Sequence, residues 1–145
     1  MFVVDTNVLL YAADSSSEFH EPCRTLLQRS LDQAGPWFLT WGICYEFLRV
    51  STHPGVFLRP WSIEAALDFL TVLLDGPSTS LLVPTARHAA VLAQCVEEMP
   101  EARGNLVHDL HTAVLMREHG ISRIVTRDAD FRRFRFLDVV DPLRP

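Results

Sequence analysis

The chain has 145 residues, of which 48% are hydrophobic and 21% are charged, so it can build one sizeable core, and we expect a single domain over residues 1–145. All 13 basic residues are arginine, and 18 acidic residues leave a net charge of −5. This balance argues against a protein that binds nucleic acid through a general basic excess. Any contact with nucleic acid must depend on where individual arginines lie.

The termini and the cysteines predict a cytoplasmic protein. The apolar start lacks a basic segment and is interrupted by Asp5 and Asn7, unlike a secretory signal peptide. No apolar stretch approaches the roughly 18–20 residues of a membrane helix, so we expect no membrane partner. The three cysteines are far apart, which favours reduced thiols.

Strand and helix signals alternate along the chain, separated by Gly-Pro, His-Pro-Gly and Asp-Gly-Pro breaks. The predicted strands are residues 2–4, 37–40, 81–83, 124–126 and 139–140. The predicted helices are residues 8–13, 18–32, 43–51, 62–74, 86–98 and 106–119, with a turn or short helix over 128–134. This order predicts an α/β fold with a central parallel sheet of four to five strands, flanked by helices on both faces.

Four carboxylates occupy related positions in these elements. Asp5 and Asp128 each follow a predicted strand, and Glu46 and Asp109 lie in the first turns of predicted helices. Ligands collect at the carboxyl ends of strands in open α/β sheets, and both helices begin near that edge. We therefore expect the four side chains to meet at one edge of the sheet.

A cluster of four carboxylates is costly without a cation or bound protons. At about 5 Å and an effective dielectric of about 20, each pair repels by roughly 3 kcal/mol. Six pairs would cost roughly 20 kcal/mol, more than the ~5–15 kcal/mol stability of a typical domain. Mg²⁺ or Mn²⁺ is the expected ligand, because both take oxygen donors.

Each acid also has a simpler explanation when it is taken alone. Asp5 could simply be a helix cap, and Asp128 and Asp130 could each be turn-forming residues. Glu46 and Asp109 lie beside apolar stripes of their helices, where a structural ion pair with arginine is the alternative. Their joint occurrence favours a metal site.

The segment 131–136 interleaves arginine with phenylalanine. This pattern suits phosphate contact and base stacking, and it equally suits buried phenylalanines with solvated arginines. If the partner is a nucleic acid, we expect its contacts to come from Arg127, Arg132, Arg133 and Arg135. The spacing of His108 and His111 could serve a metal, but no zinc-like set accompanies them, which leaves their role open.

Four segments resemble PIN-domain ribonucleases of the VapC toxin type. They are FVVDTNVLLYA, CYEFLRVSTHPGVF, NLVHDLHTAVLMREHG and IVTRDADFRRF, in this order over essentially the whole chain. The resemblance implies a PIN-like domain and an Mg²⁺- or Mn²⁺-dependent endoribonuclease. It makes Asp5, Glu46, Asp109 and Asp128 the catalytic, metal-binding quartet, with Asn7, Thr126 and Asp130 as auxiliary residues.

The resemblance also implies an RNA substrate, a cognate VapB-like antitoxin and a homodimer. One rival is a phosphatase or phosphotransferase with an aspartate nucleophile after the first strand. Such enzymes usually need a lysine near the phosphoryl group, and this chain has no lysine. A second rival is a non-catalytic PIN-fold module that only binds RNA or protein.

Overall fold

The computed structural model describes residues 1–144, which form a five-stranded parallel sheet with six α-helices. The strands are β1 (Val3–Val4), β2 (Trp37–Thr40), β3 (Thr79–Leu82), β4 (Arg123–Val125) and β5 (Asp138–Val140). The helices are α1 (Thr6–Ala13), α2 (His20–Asp32), α3 (Trp41–Ser51), α4 (Ile63–Leu74), α5 (His88–Glu98) and α6 (Leu106–Glu118). A 3₁₀ helix spans Ala129–Arg133. The predicted fold class is confirmed.

The strand order is β3-β2-β1-β4-β5, and every neighbouring pair is parallel. The chain moves outward from β1 to β3, and α5 and α6 then carry it back to β4 on the other side of β1. With right-handed crossovers, this reversal places α1–α4 on one face and α5–α6 on the other. The two directions separate between β1 and β4, and ligands in open α/β sheets bind outside such a switch point.

Helix caps fix the chain as it leaves this edge of the sheet. Asp5 follows β1 and accepts a 2.7 Å hydrogen bond from the Thr6 amide at the start of α1. Thr40 ends β2, and its hydroxyl accepts a 3.1 Å bond from the Ile43 amide of α3. Each cap satisfies an amide that the first helical turn leaves free. The caps therefore set where the first turns of α1 and α3 lie.

The core consists of apolar side chains between the sheet and its helices. Val3 and Val4 of β1 are fully buried, as a central parallel strand requires. The largest fully buried side chains include Trp37 of β2, Phe47 of α3 and Phe131 of the 3₁₀ helix. Within residues 1–144 the cysteines are buried and unpaired, and no helix is long and apolar enough to cross a membrane.

Several predicted boundaries are wrong by about two residues. The third strand was expected over 81–83 and covers Thr79–Leu82. The second helix was expected from residue 18 and begins at His20, because the Ser17 hydroxyl accepts a bond from the Phe19 amide within a preceding turn. The sixth helix ends at Glu118, and Gly120 has the positive φ of 68° that is common just after a helix.

Candidate active site

Asp5 is the most buried acid of the predicted quartet, with 7% of its surface exposed. Its Oδ2 atom accepts hydrogen bonds from the Asn7 side-chain amide at 2.7 Å and from the Thr126 hydroxyl at 2.6 Å. Burial raises the pKa of Asp5 to about 6, although the bonds from Thr126 and Thr6 favour the charged form. These bonds hold the carboxylate in one orientation at the end of β1.

The two auxiliary polar residues connect the ends of β1 and β4. The Asn7 amide donates to the Thr126 hydroxyl at 2.8 Å as well as to Asp5. The Asn7 side-chain oxygen accepts a 3.3 Å bond from the Arg127 amide. The ordering role predicted for Asn7 and Thr126 therefore has matching contacts in the structure.

Glu46 reaches the same region from α3. Its Oε2 atom accepts a 3.2 Å bond from the Thr6 hydroxyl, and its Oε1 atom lies 3.6 Å from an Arg49 nitrogen. The Glu46 side chain is 41% exposed. It therefore keeps access to solvent and to a substrate while Thr6 links it to the first turn of α1.

Asp109 lies in the first turn of α6 and is half-buried. Burial, together with the negative charges of the four neighbouring acids Asp5, Asp128, Asp130 and Glu46, raises its pKa to about 7. Repulsion from these four acids shows that the quartet and Asp130 share one electrostatic environment. A bound cation would offset this repulsion and favour the ionised carboxylate.

Asp128 and Asp130 approach Asp109 from the loop after β4. The Asp128 amide donates to the Thr126 hydroxyl at 2.9 Å, and its Oδ1 atom accepts from the Asp130 amide at 2.9 Å as it caps the 3₁₀ helix. One carboxylate oxygen from each of Asp109, Asp128 and Asp130 lies within 4.8 Å of the others. Asp130 thus lies close enough to Asp109 and Asp128 to share an ion with them, and its auxiliary role stays a prediction.

All five carboxylates line one open cavity of about 740 Å³. The remaining lining residues are Thr6, Asn7, Leu10, Gly42, Tyr45, Arg49, Asn105 and His108. Oxygen donors from separate elements around a solvent-filled space match the preference of Mg²⁺ and Mn²⁺ for carboxylates and retained waters. The residues present fit such an ion, with Asp109, Asp128 and Asp130 closest together.

The four arginines predicted to contact RNA do not line this cavity. Arg127 stacks over the Phe19 ring at 4.0 Å and lies 3.7 Å from Asp141. Arg133 pairs with Glu101 at 3.2 Å and lies 3.8 Å from Asp130. Arg132 and Arg135 are exposed. The RNA contact of this set stays a prediction, whereas burial of Phe131 and Phe134 agrees with the packing expected for the segment.

The two histidines of α6 differ in their surroundings. His108 is exposed and lines the cavity. His111 lies behind it, where burial lowers the pKa of its ring. A Cβ atom on Gly42 would lie 3.2 Å from His111 Nδ1, so glycine lets the first turn of α3 approach α6 closely.

Sequence reasoning missed Tyr45 and Arg49 as lining residues. A usable signal was present, because Tyr45 precedes Glu46 and Arg49 follows it by three positions, one helical turn away. It also missed Glu118, whose carboxylate is fully buried and accepts bonds from Thr85 while it contacts His88 Nδ1 at 2.6 Å. Burial disfavours its charge, but the contacts of Thr85 and His88 lower its pKa to about 2.

Comparison with known proteins agrees with this architecture. A family model described as PIN domain matches residues 2–137. Ribonuclease VapC37 of Mycobacterium tuberculosis is 41% identical over 134 residues, which are 92% of this chain and 92% of that protein. Ribonuclease VapC48 of the same species is 35% identical over 95% of this chain and 94% of its own length.

Solved structures share the fold at low sequence identity. The crystal structure of Mycobacterium tuberculosis VapC20, a sarcin-ricin loop cleaving toxin, has a TM-score of 0.69 at 16% identity, covering 97% of this chain and 100% of VapC20. VapBC2 from Rickettsia felis, bound to a promoter DNA fragment, has a TM-score of 0.67 at 16% identity, covering 95% and 96% of the two chains. From the family match and the identity to the VapC proteins, this chain belongs to the PIN-domain family, as a VapC-type ribonuclease.

Proposed function

We propose that the chain is a metal-dependent endoribonuclease and the toxin of a toxin–antitoxin pair. The observation that carries the proposal is the convergence of five carboxylates on one cavity at the switch point of the sheet. The supporting comparison is with relatives named ribonuclease at 35–41% identity.

Three of the five acids lie close together, and the other two, Asp5 and Glu46, approach the cavity from the end of β1 and from α3. Asp109, Asp128 and Asp130 offer oxygens close enough together to hold an Mg²⁺ or Mn²⁺ ion. Asp5 completes the negative environment from the end of β1, where Asn7 and Thr126 hold it. When bound, the ion would polarise the phosphodiester and offset the negative charge of the site.

The protein supplies the remaining chemistry from its own side chains. Glu46 is exposed on one side and held by Thr6 on the other, so it can orient or deprotonate a water for attack on phosphorus. Burial and the neighbouring acids raise the pKa of Asp109 to about 7 in the metal-free protein, so ion binding, which needs the ionised carboxylate, should displace a proton near neutral pH. We expect hydrolysis to leave a 5′-phosphate and a 3′-hydroxyl.

Cleavage of a circular RNA tests the endonuclease proposal. The protein with Mg²⁺ or Mn²⁺ should open the circle at internal bonds, and excess EDTA should stop the reaction. Degradation of linear RNA from its ends, with the circle left intact, would contradict an endonuclease. Release of inorganic phosphate from small phosphoesters would instead favour a phosphatase.

The biological setting is supported by the structural neighbours. VapBC2 of Rickettsia felis and FitAcB of Neisseria gonorrhoeae share this fold, and we propose that a VapB-like antitoxin likewise binds this chain. The proposed homodimer rests on the family resemblance, and the proposed cytoplasmic location rests on the three cysteines, which are unpaired within residues 1–144. A short reading frame just upstream, whose product restores growth when both proteins are expressed, would identify the antitoxin. Gel filtration or sedimentation of the chain alone tests the homodimer.

A further inference from the structure

Helix α3 presents two large aromatic side chains to solvent. Trp41 is 50% exposed and Tyr45 is 70% exposed. Their ring centroids are 6.4 Å apart, with the ring planes tilted by 54°. The spacing of four residues places them on one face of the helix. Large aromatic side chains contribute most when they are buried, so an exposed adjacent pair beside a cavity is a candidate contact surface.

This face leads directly into the acidic cavity. Tyr45 and Arg49 line the cavity, and Arg49 lies four residues beyond Tyr45 on the same face. We call the face formed by Trp41, Tyr45 and Arg49 the α3 ridge. The eight steps of helical rise from Trp41 to Arg49 give the ridge a length of about 12 Å, which is enough for a few nucleotides. The ridge therefore joins the metal-fitting acids to an exposed aromatic surface.

Resting on the ribonuclease function proposed above, we propose that the α3 ridge binds single-stranded RNA beside the bond to be cleaved. Bases stack on Trp41 and Tyr45, and Arg49 contacts a backbone phosphate. The Arg49 side chain is 68% exposed, and its 3.6 Å pair with Glu46 is partly exposed, so little is lost when the guanidinium turns to a phosphate.

The chemistry of the ridge distinguishes single-stranded from double-stranded RNA more than it distinguishes one base sequence from another. Every unpaired base offers a flat face to an aromatic ring, so stacking tolerates different bases. A duplex hides those faces within its own stack, and proteins recognise it mainly through backbone and shape. The ridge therefore favours loops and unpaired segments as substrates.

Trp41 also provides a direct signal for this contact. Trp37 is fully buried, and Trp61 packs against Phe47 and Phe69 with ring centroids 6.2 and 5.6 Å apart. A base that stacks on Trp41 should quench the fluorescence of the exposed tryptophan and leave the other two unchanged. Trp41→Phe should remove the quenching while it keeps an aromatic surface.

The experiment titrates the full-length protein with a short unpaired RNA of mixed sequence, with Ca²⁺ in place of Mg²⁺ and gel analysis to verify that the RNA stays intact. Three probes are compared. The abasic strand has the sugar-phosphate backbone of the single strand without its bases, and the hairpin duplex has the same base composition in paired form. We expect quenching and the tightest binding with the single strand. Loss of one stacked base should weaken binding by roughly 5- to 150-fold.

The variants separate stacking from general damage. Trp41→Ala with Tyr45→Ala should weaken single-strand binding by at least tenfold, whereas Tyr45→Phe should bind like the wild type. Val72→Ala removes an equally exposed apolar side chain from α4 and should have no effect. All of these positions are exposed, so the melting temperatures should agree within a few degrees.

Equal binding of the abasic strand, or binding within twofold of wild type by the double alanine variant, would overturn the inference. So would a double variant that binds RNA normally but loses self-association in sedimentation, because the ridge would then be a protein interface. RNA that binds with quenching but is never cut would refute the proposed ribonuclease function and leave the ridge as an RNA-binding surface.

Discussion

The Thr126 hydroxyl donates a 2.6 Å hydrogen bond to Asp5 Oδ2 across 121 positions of the chain. The Thr126 hydroxyl oxygen also accepts bonds from the Asp128 amide at 2.9 Å and from the Asn7 side chain at 2.8 Å. One buried hydroxyl thus joins the acid after β1 to the acid after β4. Its position ties the Asp5 carboxylate to the backbone of Asp128, because both bond to the same oxygen.

Thr126→Val keeps the shape of the side chain and removes this hydroxyl. We expect the pKa of Asp5 to rise further, because the bond from Thr126 favours its charged form. The pH–rate profile of RNA cleavage should therefore shift to higher pH, and Mg²⁺ affinity at pH 6 should fall. Stability should decrease by about 1 kcal/mol, because Asp5 loses a buried donor and the part-buried Asp128 amide loses its acceptor.

The matched control for this substitution is Thr25→Val on the exposed surface of α2. It should leave the profile and the ion affinity unchanged. If the Thr126→Val and wild-type profiles superimpose, the hydroxyl does not influence the ionisation of Asp5 in the working enzyme.

The metal-free protein should lose stability as pH rises through the neutral range. In the folded chain the pKa values of Asp5 and Asp109 are raised to about 6 and about 7, from an ordinary value of 3.8. Between about pH 4 and pH 7 the folded state therefore binds more protons than the unfolded state, and the free energy of unfolding falls. Melting temperatures in EDTA at pH 5 and pH 8 check this.

Asp109→Asn should remove a large part of that pH dependence. At pH 8 in EDTA we expect its melting temperature to exceed that of the wild type by roughly 3–8 °C, because one repelling charge is gone. Asp68→Asn, on the exposed face of α4, should change it by no more than about 2 °C. The prediction is contradicted if the wild-type melting temperature rises from pH 5 to pH 8 and that of Asp109→Asn rises by the same amount. The folded state would then not hold extra protons on these carboxylates.

Mg²⁺ or Mn²⁺ should stabilise the folded protein, since an ion bound only by the folded state raises stability by mass action. The gain in melting temperature should be larger at pH 8 than at pH 5, because protonated carboxylates bind cations poorly. Asp130→Asn should reduce the gain substantially, as expected for an acid within 4.8 Å of Asp109 and Asp128 oxygens. If Asp130→Asn shows the same gain in melting temperature as the wild type, Asp130 does not contact the ion.

The arginines near the C-terminus and Arg49 make a sharp comparison for RNA binding. Arg132→Gln with Arg133→Gln should weaken RNA binding and flatten its salt dependence by about one unit for each phosphate contact. Arg49→Gln should also weaken RNA binding and flatten its salt dependence by about one unit, because this arginine lines the cavity. Salt titrations of both variants measure the slopes. Superimposable curves for the C-terminal pair and a flattened slope for Arg49→Gln would assign the contact to α3.

The sequence predicted the fold and the meeting of the acids because both depend on short-range signals. Asp5 follows an apolar strand and caps the next helix, and parallel strands bring their carboxyl ends to one edge. The short distances from Asp130 to Asp109 and Asp128 were not predictable, because they depend on how the 3₁₀ helix after Asp128 directs the Asp130 side chain.

The arginines show that proximity in the sequence does not by itself place a side chain in the cavity. Arg127 is next to Asp128 in the chain, but its side chain stacks on Phe19 and lies beside Asp141. Arg133 turns to Glu101. These partners are more than ten residues away, and only the folded chain brings them close. Arg49 lies in the cavity because the whole of α3 is oriented by its cap and its buried face.

The most direct test of the account is the mapping of RNA ends after brief induction of the protein in cells, with Asp109→Asn as the matched control. We predict new internal cleavage sites with 5′-phosphate and 3′-hydroxyl ends in the wild type, none in the variant, and the same sites in purified RNA only when Mg²⁺ or Mn²⁺ is present. Cleavage that persists in Asp109→Asn and in EDTA would contradict a metal-dependent ribonuclease built on these carboxylates.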